Sequence, residues 1–314
     1  MHFCAVYMAE PGRGLHEAED KQFFFEKKNQ KTFARLSRTS RRQPRKGFCF
    51  FFQKEALAMT RWAVKLEYDG AAFVGWQRQA VGVSIQAVLE QAASNLAGEP
   101  VTSIVAGRTD SGVHALGQVA HFYLQRDITP AKLASALNFH MKPHRVAVIA
   151  AAQVPPGWSA RFSAIGRAYR YIILNRRGRP ALAEGRVWHV PQPLDAALMD
   201  EAAKHLLGKH DFTSFRAASC QAASPWRTLD RLDVVRGPET IEIIAEARSF
   251  LHHQVRNMVG TLKLIGEGAR PAASVPAILA AANRSAAGPT APPQGLFLTG
   301  VRYETEIFDP PPGV

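Results

Sequence analysis

The sequence predicts an α+β fold in which each half of the chain combines several strands with about two helices. Segments of alternating apolar and polar residues, typical of half-buried strands, recur along residues 59–314, and segments with helical apolar spacing separate them. Pro155-Pro156-Gly157 is the strongest break near the middle of the chain. With 314 residues, 46% of them hydrophobic, the protein can bury a substantial core.

The first half opens with a strand, because every second residue from Trp62 to Tyr68 is large and apolar. Asp69-Gly70 ends this strand as a turn. Ser84 is a helix cap followed by apolar residues at helical spacing, and Thr129-Pro130 opens a second helix by the cap-then-proline rule. The other strands of this half are predicted at 101–106, 117–124 and 145–153.

The second half repeats this composition without any internal sequence repeat. A strand at 167–174 precedes a helix from Asp195 to Leu207, which Gly208 is expected to end. A second helix is predicted at 252–266, where apolar residues line one face. The remaining strands are predicted at 228–235, 240–249 and 296–303.

The net charge of +13 favours a partner that carries negative charge, with nucleic acid the leading class. A basic surface without a special role is an equally good interpretation of the charge alone. No apolar run approaches the ~20 residues that a membrane-spanning helix requires. The three cysteines form no CxxC pair, which argues against a disulfide framework or a cysteine zinc site.

Residues 1–58 differ in composition from the rest of the chain. They contain 12 Lys and Arg against 6 Asp and Glu, and half of the 18 Phe residues occur there in clumps. No helical or strand period is visible in them, and acidic residues argue against a transit peptide. We therefore expect the folded protein to begin at Met59, with 1–58 a disordered extension or a wrongly assigned start.

Several chemistry-bearing motifs are missing, including GxxxxGK[ST], GxGxxG after a strand, HExxH and paired CxxC. His252-His253 could suggest a metal ligand pair. If both residues lie on the predicted helix, however, their side chains point about 100° apart and do not converge. No metal and no cofactor are therefore predicted.

The tight turn Gly107-Arg108-Thr109-Asp110-Ser111-Gly112 carries the strongest functional signal. An Asp before Ser-Gly is by itself an ordinary turn former. Together with Val113-His114-Ala115 and Gly117-Gln118-Val119, however, the turn resembles the active-site signature of the TruA family of tRNA pseudouridine synthases. Ser111 stands where that family often has alanine, a change that should not affect the chemistry. Further matches to the family occur in order at 67–70, 75–79, 161–164, 169–171, 211–216 and 252–257.

The resemblance covers residues 62 to about 303 and implies a fold as well as an activity. The implied fold has two similar α/β subdomains, at 59–157 and 158–307, whose mixed, mainly antiparallel sheets join across a central active-site cleft; 308–314 would be a tail. The implied reaction converts uridine to pseudouridine at positions 38–40 of the tRNA anticodon stem-loop. The resemblance also implies a cytoplasmic homodimer that binds tRNA by shape and requires no cofactor, metal or membrane.

The site residues follow from the resemblance, position by position. Asp110 is the implied essential carboxylate, and Arg108 is expected to lie close enough to keep it ionised and oriented. Tyr169 matches the family's substrate-stacking tyrosine, and Arg256 matches an active-site arginine. From spacing alone, Tyr169 is better explained as a core strand aromatic. The alternative for Arg256 is a solvated helix arginine.

Two other functions remain open at this point. One is a catalytically silent RNA-binding or chaperone protein with the same fold, and the other is a related enzyme that modifies another RNA. The sequence also leaves open whether Asp110 attacks C1′ directly or removes a proton at C2′ to give a glycal. Both routes need one ionised carboxylate in the same place.

Overall fold

The computed structural model describes residues 59–308, which form ten strands and five α-helices. The expectations for 1–58, and for the tail beyond Phe308, lie outside the described residues. The strands are β1 (Thr60–Tyr68), β2 (Ser103–Val105), β3 (His114–Leu124), β4 (Val146–Gln153), β5 (Ala164–Leu174), β6 (Trp188–His189), β7 (Gly208–Asp211), β8 (Trp226–Arg236), β9 (Thr240–Ala247) and β10 (Leu296–Tyr303). The helices are α1 (Ile85–Ala97), α2 (Pro130–His140), α3 (Ala196–Lys204), α4 (Gln254–Gly266) and α5 (Val275–Ala280).

All ten strands belong to one continuous sheet, in the order β4-β1-β3-β10-β5-β9-β8-β7, with β2 added to β3 and β6 added to β5. Only the β3–β10 and β5–β6 pairs are parallel among these strands. The predicted α+β class with mixed, mainly antiparallel pairing is confirmed. The sheets expected in the two subdomains form one continuous sheet, because β10 from the end of the chain pairs with both β3 and β5. The subdomain boundary at 157 stays a prediction.

Strand β10 also aligns β3 of the first half of the chain with β5 of the second half. Leu298 of β10 lies opposite Ala115 of β3 on one side and opposite Tyr169 of β5 on the other. Tyr169 is therefore held two strands away from the start of β3, which directly follows the turn that carries Asp110. Residues 59–308 contain no helix long and apolar enough to cross a membrane.

The helices begin where their capping residues predict. The side chain of Ser84 accepts a hydrogen bond from the Ala87 N–H, and Asp195 accepts from Ala197 and Leu198. Thr129 caps α2 with proline at the first turn. Residues from all five helices join alternate strand residues in one large buried cluster. A smaller cluster, which includes Ala63, lies on the opposite face of β1.

Two predicted helix boundaries are wrong. The helix from Asp195 ends at Lys204 rather than Leu207, and Gly208, with φ of +88°, begins β7 instead of capping the helix. The helix predicted from 252 begins at Gln254, because His253 has a left-handed backbone with φ of +62°. The short elements β6, β7 and α5 were not predicted, since each is too short to show a recognisable apolar pattern.

Candidate active site

Asp110 lies in the connection between β2 and β3, which form an antiparallel pair. The carbonyl of Asp110 accepts a hydrogen bond from the Val113 N–H at 3.2 Å, which closes a turn over 110–113. Gly112 has φ of +77°, a backbone conformation that glycine adopts without the cost a side chain would add. The predicted turn is confirmed. The Asp110 side chain is 23% exposed, so its carboxylate is only partly buried.

The segment that follows β1 packs around this turn through neutral hydrogen bonds. The Tyr68 hydroxyl and Thr109 Oγ1 are 2.8 Å apart, and the Trp76 N–H donates to the Thr109 carbonyl at 3.0 Å. Ser111 donates from Oγ to the Phe73 carbonyl at 3.1 Å. The serine that departs from the family's usual alanine therefore adds one more bond to the loop.

Two glycines allow the backbones to come this close. A Cβ on Gly70 would lie 2.1 Å from the carbonyl oxygen of Val113, and one on Gly75 would lie 2.8 Å from that of Thr109. The Gly70 N–H also donates to Nδ1 of the buried His114 at 3.1 Å. The two predicted motifs at 67–70 and 75–79 thus form the wall against which the turn that carries Asp110 packs.

A buried arginine ties this turn to the second half of the chain. Arg167 of β5 donates hydrogen bonds to the carbonyls of Ala106, Arg161 and Arg248 at 2.7, 2.9 and 2.6 Å. Ala106 leads into the turn that carries Asp110, so one guanidinium holds three separate backbone segments. Arg167 was not predicted from the sequence, where it is one of two basic residues, with Arg170, in a largely apolar strand.

The cationic side of the site comes from the start of α4. Arg256 Nη1 lies 3.1 Å from Asp110 Oδ2, and Arg256 Nε donates to the Ala291 carbonyl at 2.7 Å, which fixes the guanidinium. His252 Nε2 lies 3.4 Å from Oδ1 of the same carboxylate, and His253 Nε2 lies 3.3 Å from Oδ2. The predicted placement of Arg256 at the site is thus matched by its contact with Asp110.

The expected divergence of His252 and His253 is wrong. Both residues precede α4, and the left-handed backbone of His253 turns the two rings to within 4.0 Å of each other, facing Asp110. Their ligand atoms and those of Asp110 lie within 4.8 Å of one another, an arrangement that could hold a metal ion. Arg256 contacts the same carboxylate and opposes a second cation there. The absence of a metal stays a prediction.

Protonation of His253 is also disfavoured. Burial lowers the pKa of His253, and Arg256 and His252 add to this effect, while Asp110 opposes it. The site therefore combines one carboxylate, one fixed guanidinium and an imidazole whose pKa lies below its ordinary value.

Tyr169 faces this cluster from β5. It is 9% exposed, and its ring lies at 89° to that of Phe250, with centroids 5.2 Å apart. Burial raises the pKa of Tyr169, and the charges of Tyr68 and Asp110 raise it further. The hydroxyl therefore stays neutral, and the ring offers an apolar aromatic surface close to Asp110. Phe250 was not predicted from the sequence.

Arg108 is the last of the site residues that the resemblance implies. Its side chain is exposed, and within residues 59–308 the basic groups that lie within 4.0 Å of the Asp110 carboxylate are Arg256, His252 and His253. Arg108 is thus not among the groups in direct contact with that carboxylate, and its expected role in keeping Asp110 ionised stays a prediction. A role for Arg108 in substrate binding stays a prediction.

The comparisons with known proteins agree with this arrangement. A family model described as tRNA pseudouridine synthase matches residues 64–163 and 202–304. The chain is 67% identical over 252 residues to the tRNA pseudouridine synthase A of Acidiphilium cryptum, which covers 80% of this chain and 99% of that relative. It is 59% identical over 245 residues to the tRNA pseudouridine synthase A of Rhodospirillum centenum, a match that covers 78% of this chain and 100% of that relative. It is 57% identical over 245 residues to the tRNA pseudouridine synthase A of Paramagnetospirillum magneticum, a match that covers 78% of this chain and 96% of that relative.

Each of these matches spans nearly the whole relative, and the family model spans both sides of the site, including Asp110 and Arg256. The resemblance found in the catalytic turn therefore extends over the full folded region. The chain belongs to the tRNA pseudouridine synthase family.

Proposed function

We propose that this chain isomerises uridine to pseudouridine at positions 38–40 of the tRNA anticodon stem-loop, with Asp110 as its essential carboxylate. The observation that carries the proposal is the convergence of Arg256, His252 and His253 on that carboxylate, which is the only acid of the four-residue group. The fixed guanidinium supplies the positive charge that pairs with an ionised aspartate.

The reaction explains why one carboxylate is enough. The N1–C1′ bond of uridine breaks and a C5–C1′ bond forms, while C5 loses a proton and N1 gains one, so nothing is added to the RNA or removed from it. A glycoside hydrolase needs a second carboxylate to activate water or to attack. Here the leaving uracil itself returns to C1′, and water must be kept out.

Tyr169 is proposed to stack against the target base after the base leaves the RNA helix. Stacking of a base on an aromatic ring contributes ~1–3 kcal/mol and tolerates rotation of the base, since no hydrogen bond fixes its edges. The ring is positioned by β5 and by Phe250, and its neutral hydroxyl adds no charge next to Asp110. The exposed Arg108 is proposed to contact the RNA near the cleft.

The remaining parts of the proposal concern the partner and the place of action. The basic composition suits contacts with tRNA phosphates, which give affinity without reading sequence. A homodimer acting in the cytoplasm is proposed on the family resemblance.

The proposal is tested by the tritium released from tRNA that carries [5-³H]uridine, because C5 loses its hydrogen in the reaction. Asp110→Asn should lower release by about 10⁴-fold or more while tRNA binding persists. Asp127→Asn, an exposed aspartate before α2, serves as the matched control and should behave like the wild type. Undiminished release by the Asp110→Asn variant would reject the mechanism.

Two further outcomes separate the alternatives. A wild-type chain that binds tRNA but releases no tritium would indicate a catalytically silent RNA-binding protein. A tRNA whose residues 38–40 are all cytidine should give no release. Tritium released from that tRNA would show that a different uridine is the target.

A further inference from the structure

The edge of the sheet formed by β7 and β8 carries an exposed tryptophan. Trp226 is 52% exposed and lies opposite Asp211 at the start of β8, whereas Trp62 and Trp76 are buried and Trp158 and Trp188 are half-buried. An indole is the largest apolar side chain, and its exposure leaves apolar area in water that a binding partner could cover.

Trp226 lines a cavity of about 450 Å³, which we call the Trp226 groove, together with Lys209, Arg227, Arg248, Asp230 and Ile165. The size lies within the range of small-ligand pockets. Three of these side chains are basic and one is acidic, so the groove has an excess of positive charge.

The basic residues of the groove are not neutralised by carboxylates. Within residues 59–308, no Asp or Glu oxygen lies within 4.0 Å of the charged atoms of Lys209, Arg227 or Arg248. Arg227 Nη1 donates to the carbonyls of Ser224 and Trp226, which holds the guanidinium against the backbone of 224–226, while its buried Nε has no partner within residues 59–308. The groove therefore presents cationic groups next to an aromatic face, as single-stranded nucleic-acid sites do.

The groove is connected to the catalytic site by a short, fixed segment. Arg248 lines the groove, and four residues later His252 contacts Asp110, a span of at most about 14 Å for extended chain. The Arg248 carbonyl accepts a hydrogen bond from the Arg167 guanidinium. The same guanidinium donates to the carbonyl of Ala106, next to the turn that carries Asp110. The Trp226 groove and the Asp110 carboxylate are therefore held at a fixed distance that a few nucleotides can span.

We infer that the Trp226 groove binds an unpaired nucleotide of the RNA substrate that flanks the target uridine. Its base stacks on the Trp226 indole, and Lys209 and Arg248 contact the adjoining phosphates. This inference rests on the proposed function, since it takes RNA as the substrate. The groove adds affinity for a splayed loop and leaves the chemistry at Asp110 unchanged.

The first experiment compares Trp226→Ala, Trp226→Phe and the wild-type full chain in single-turnover tritium release and in tRNA binding. Loss of one stacked base should weaken binding by about 5- to 150-fold, and Phe should retain most of the affinity. The rate at saturating tRNA should stay within about twofold of wild type. Phe139→Ala, which removes an exposed aromatic from α2, is the matched control and should bind normally.

Two independent readouts follow the same contacts. RNA should quench the tryptophan fluorescence of the wild type, and that quenching should be lost in Trp226→Phe, since the other four tryptophans lie at least partly inside the protein. Lys209→Ala and Arg248→Ala should each reduce the slope of log affinity against log salt concentration by roughly 0.7.

Several results would overturn the inference. Trp226→Ala and Trp226→Phe that bind tRNA like the wild type, with unchanged quenching, would show that the groove is not an RNA site. A Trp226→Ala variant that sediments as a smaller species, with full affinity per folded chain, would identify the groove as a contact between protein copies. If instead the wild type binds RNA through Trp226 but releases no tritium, the proposed activity fails and the groove stands.

Discussion

The two walls of the site act on Asp110 in different ways. The wall formed by 67–76 and 114–118 contacts the turn that carries Asp110 through neutral hydrogen bonds and close backbone packing, as at Tyr68 and Gly70. The wall formed by 248–257 contacts the carboxylate itself with charged or titratable groups, above all Arg256. The first wall fixes where Asp110 lies, and the second determines the electrostatic environment of its carboxylate.

This difference implies different consequences of substitution. Changes in the 67–76 wall should lower stability and activity together, because the turn is part of a densely packed region. Changes in the 248–257 wall should lower activity more than stability, because its groups contact a carboxylate that is partly exposed. Each prediction below tests one side of that distinction.

Among substitutions in the two walls, the largest effect is expected for Arg256→Ala. Its removal takes away the fixed cation 3.1 Å from Asp110, and kcat should fall by about 10²- to 10³-fold, as for loss of one preorganised charge-stabilising donor. The thermal midpoint should change little. The assay is single-turnover tritium release at saturating tRNA, with circular dichroism melts alongside it.

Arg256→Lys is the matched control, because it keeps the charge but cannot contact both Asp110 and the Ala291 carbonyl in the same way. Its activity should lie between those of Arg256→Ala and the wild type. An Arg256→Ala enzyme within threefold of wild-type kcat would show that the cationic wall does not support the reaction.

Gly70→Ala should have the second-largest effect, and on both properties. Its Cβ would meet a backbone carbonyl at 2.1 Å, so β1 and the catalytic turn must separate, at a cost of roughly 1–3 kcal/mol or more in the free energy of unfolding. Activity should fall with it. Gly157→Ala, where nothing lies within 4 Å of the added Cβ, should leave both unchanged. Equal stability of the two variants in urea unfolding would contradict the close packing of this wall.

Local signals in the sequence predicted most of the elements that carry these walls. Ser84, Thr129 and Asp195 cap their helices as expected, because a capping side chain acts on N–H groups two or three residues away. Alternation likewise predicted β1, which pairs with β3 and β4. The motifs showed glycine at 70 and 75. They did not show why glycine is needed there, which is the close approach of backbone several dozen residues further along the chain.

Features that depend on distant parts of the chain were not predictable in this way. The contact between Arg256 and Asp110 joins residues 146 positions apart, and only the resemblance to a family suggested it. His253 illustrates a second limit, because helical periodicity does not report a left-handed residue just before a helix. The continuous sheet depends on β10 reaching β3 from the other end of the chain.

A titratable group of the first wall, His114, should make the stability of the fold depend on pH. Burial lowers the pKa of His114, and the neighbouring Asp69 opposes this without reversing it. The unfolded imidazole, with an ordinary pKa near 6.5, then takes up a proton at a pH where the folded one does not. Stability is therefore fully present above about pH 6.5 and should decrease as the pH falls below that value, with a slope of at most about 1.4 kcal/mol per pH unit for this group.

The measurement is the free energy of urea unfolding from pH 7 to pH 5 for the wild type and His114→Gln. His121, whose pKa burial lowers to about 4, contributes in the same direction in both proteins, so the difference between their slopes isolates His114. Parallel slopes for the two proteins would show that His114 is not the titrating group.

The smallest expected effect distinguishes hydrogen bonds that position Asp110 from hydrogen bonds that only stabilise the fold. Tyr68→Phe removes the hydroxyl that is 2.8 Å from Thr109 Oγ1, and Tyr303→Phe removes one that donates to the Ala160 carbonyl at 2.8 Å in the opposite-face cluster. Each should cost about 1 kcal/mol in the free energy of unfolding. Only Tyr68→Phe should also lower kcat, by several-fold, because Thr109 precedes Asp110 and a shift of the turn misplaces the carboxylate. If both variants lose stability and neither loses activity, then hydrogen bonding to Thr109 stabilises the fold without positioning Asp110, and close packing at Gly70 and Gly75 alone fixes the turn.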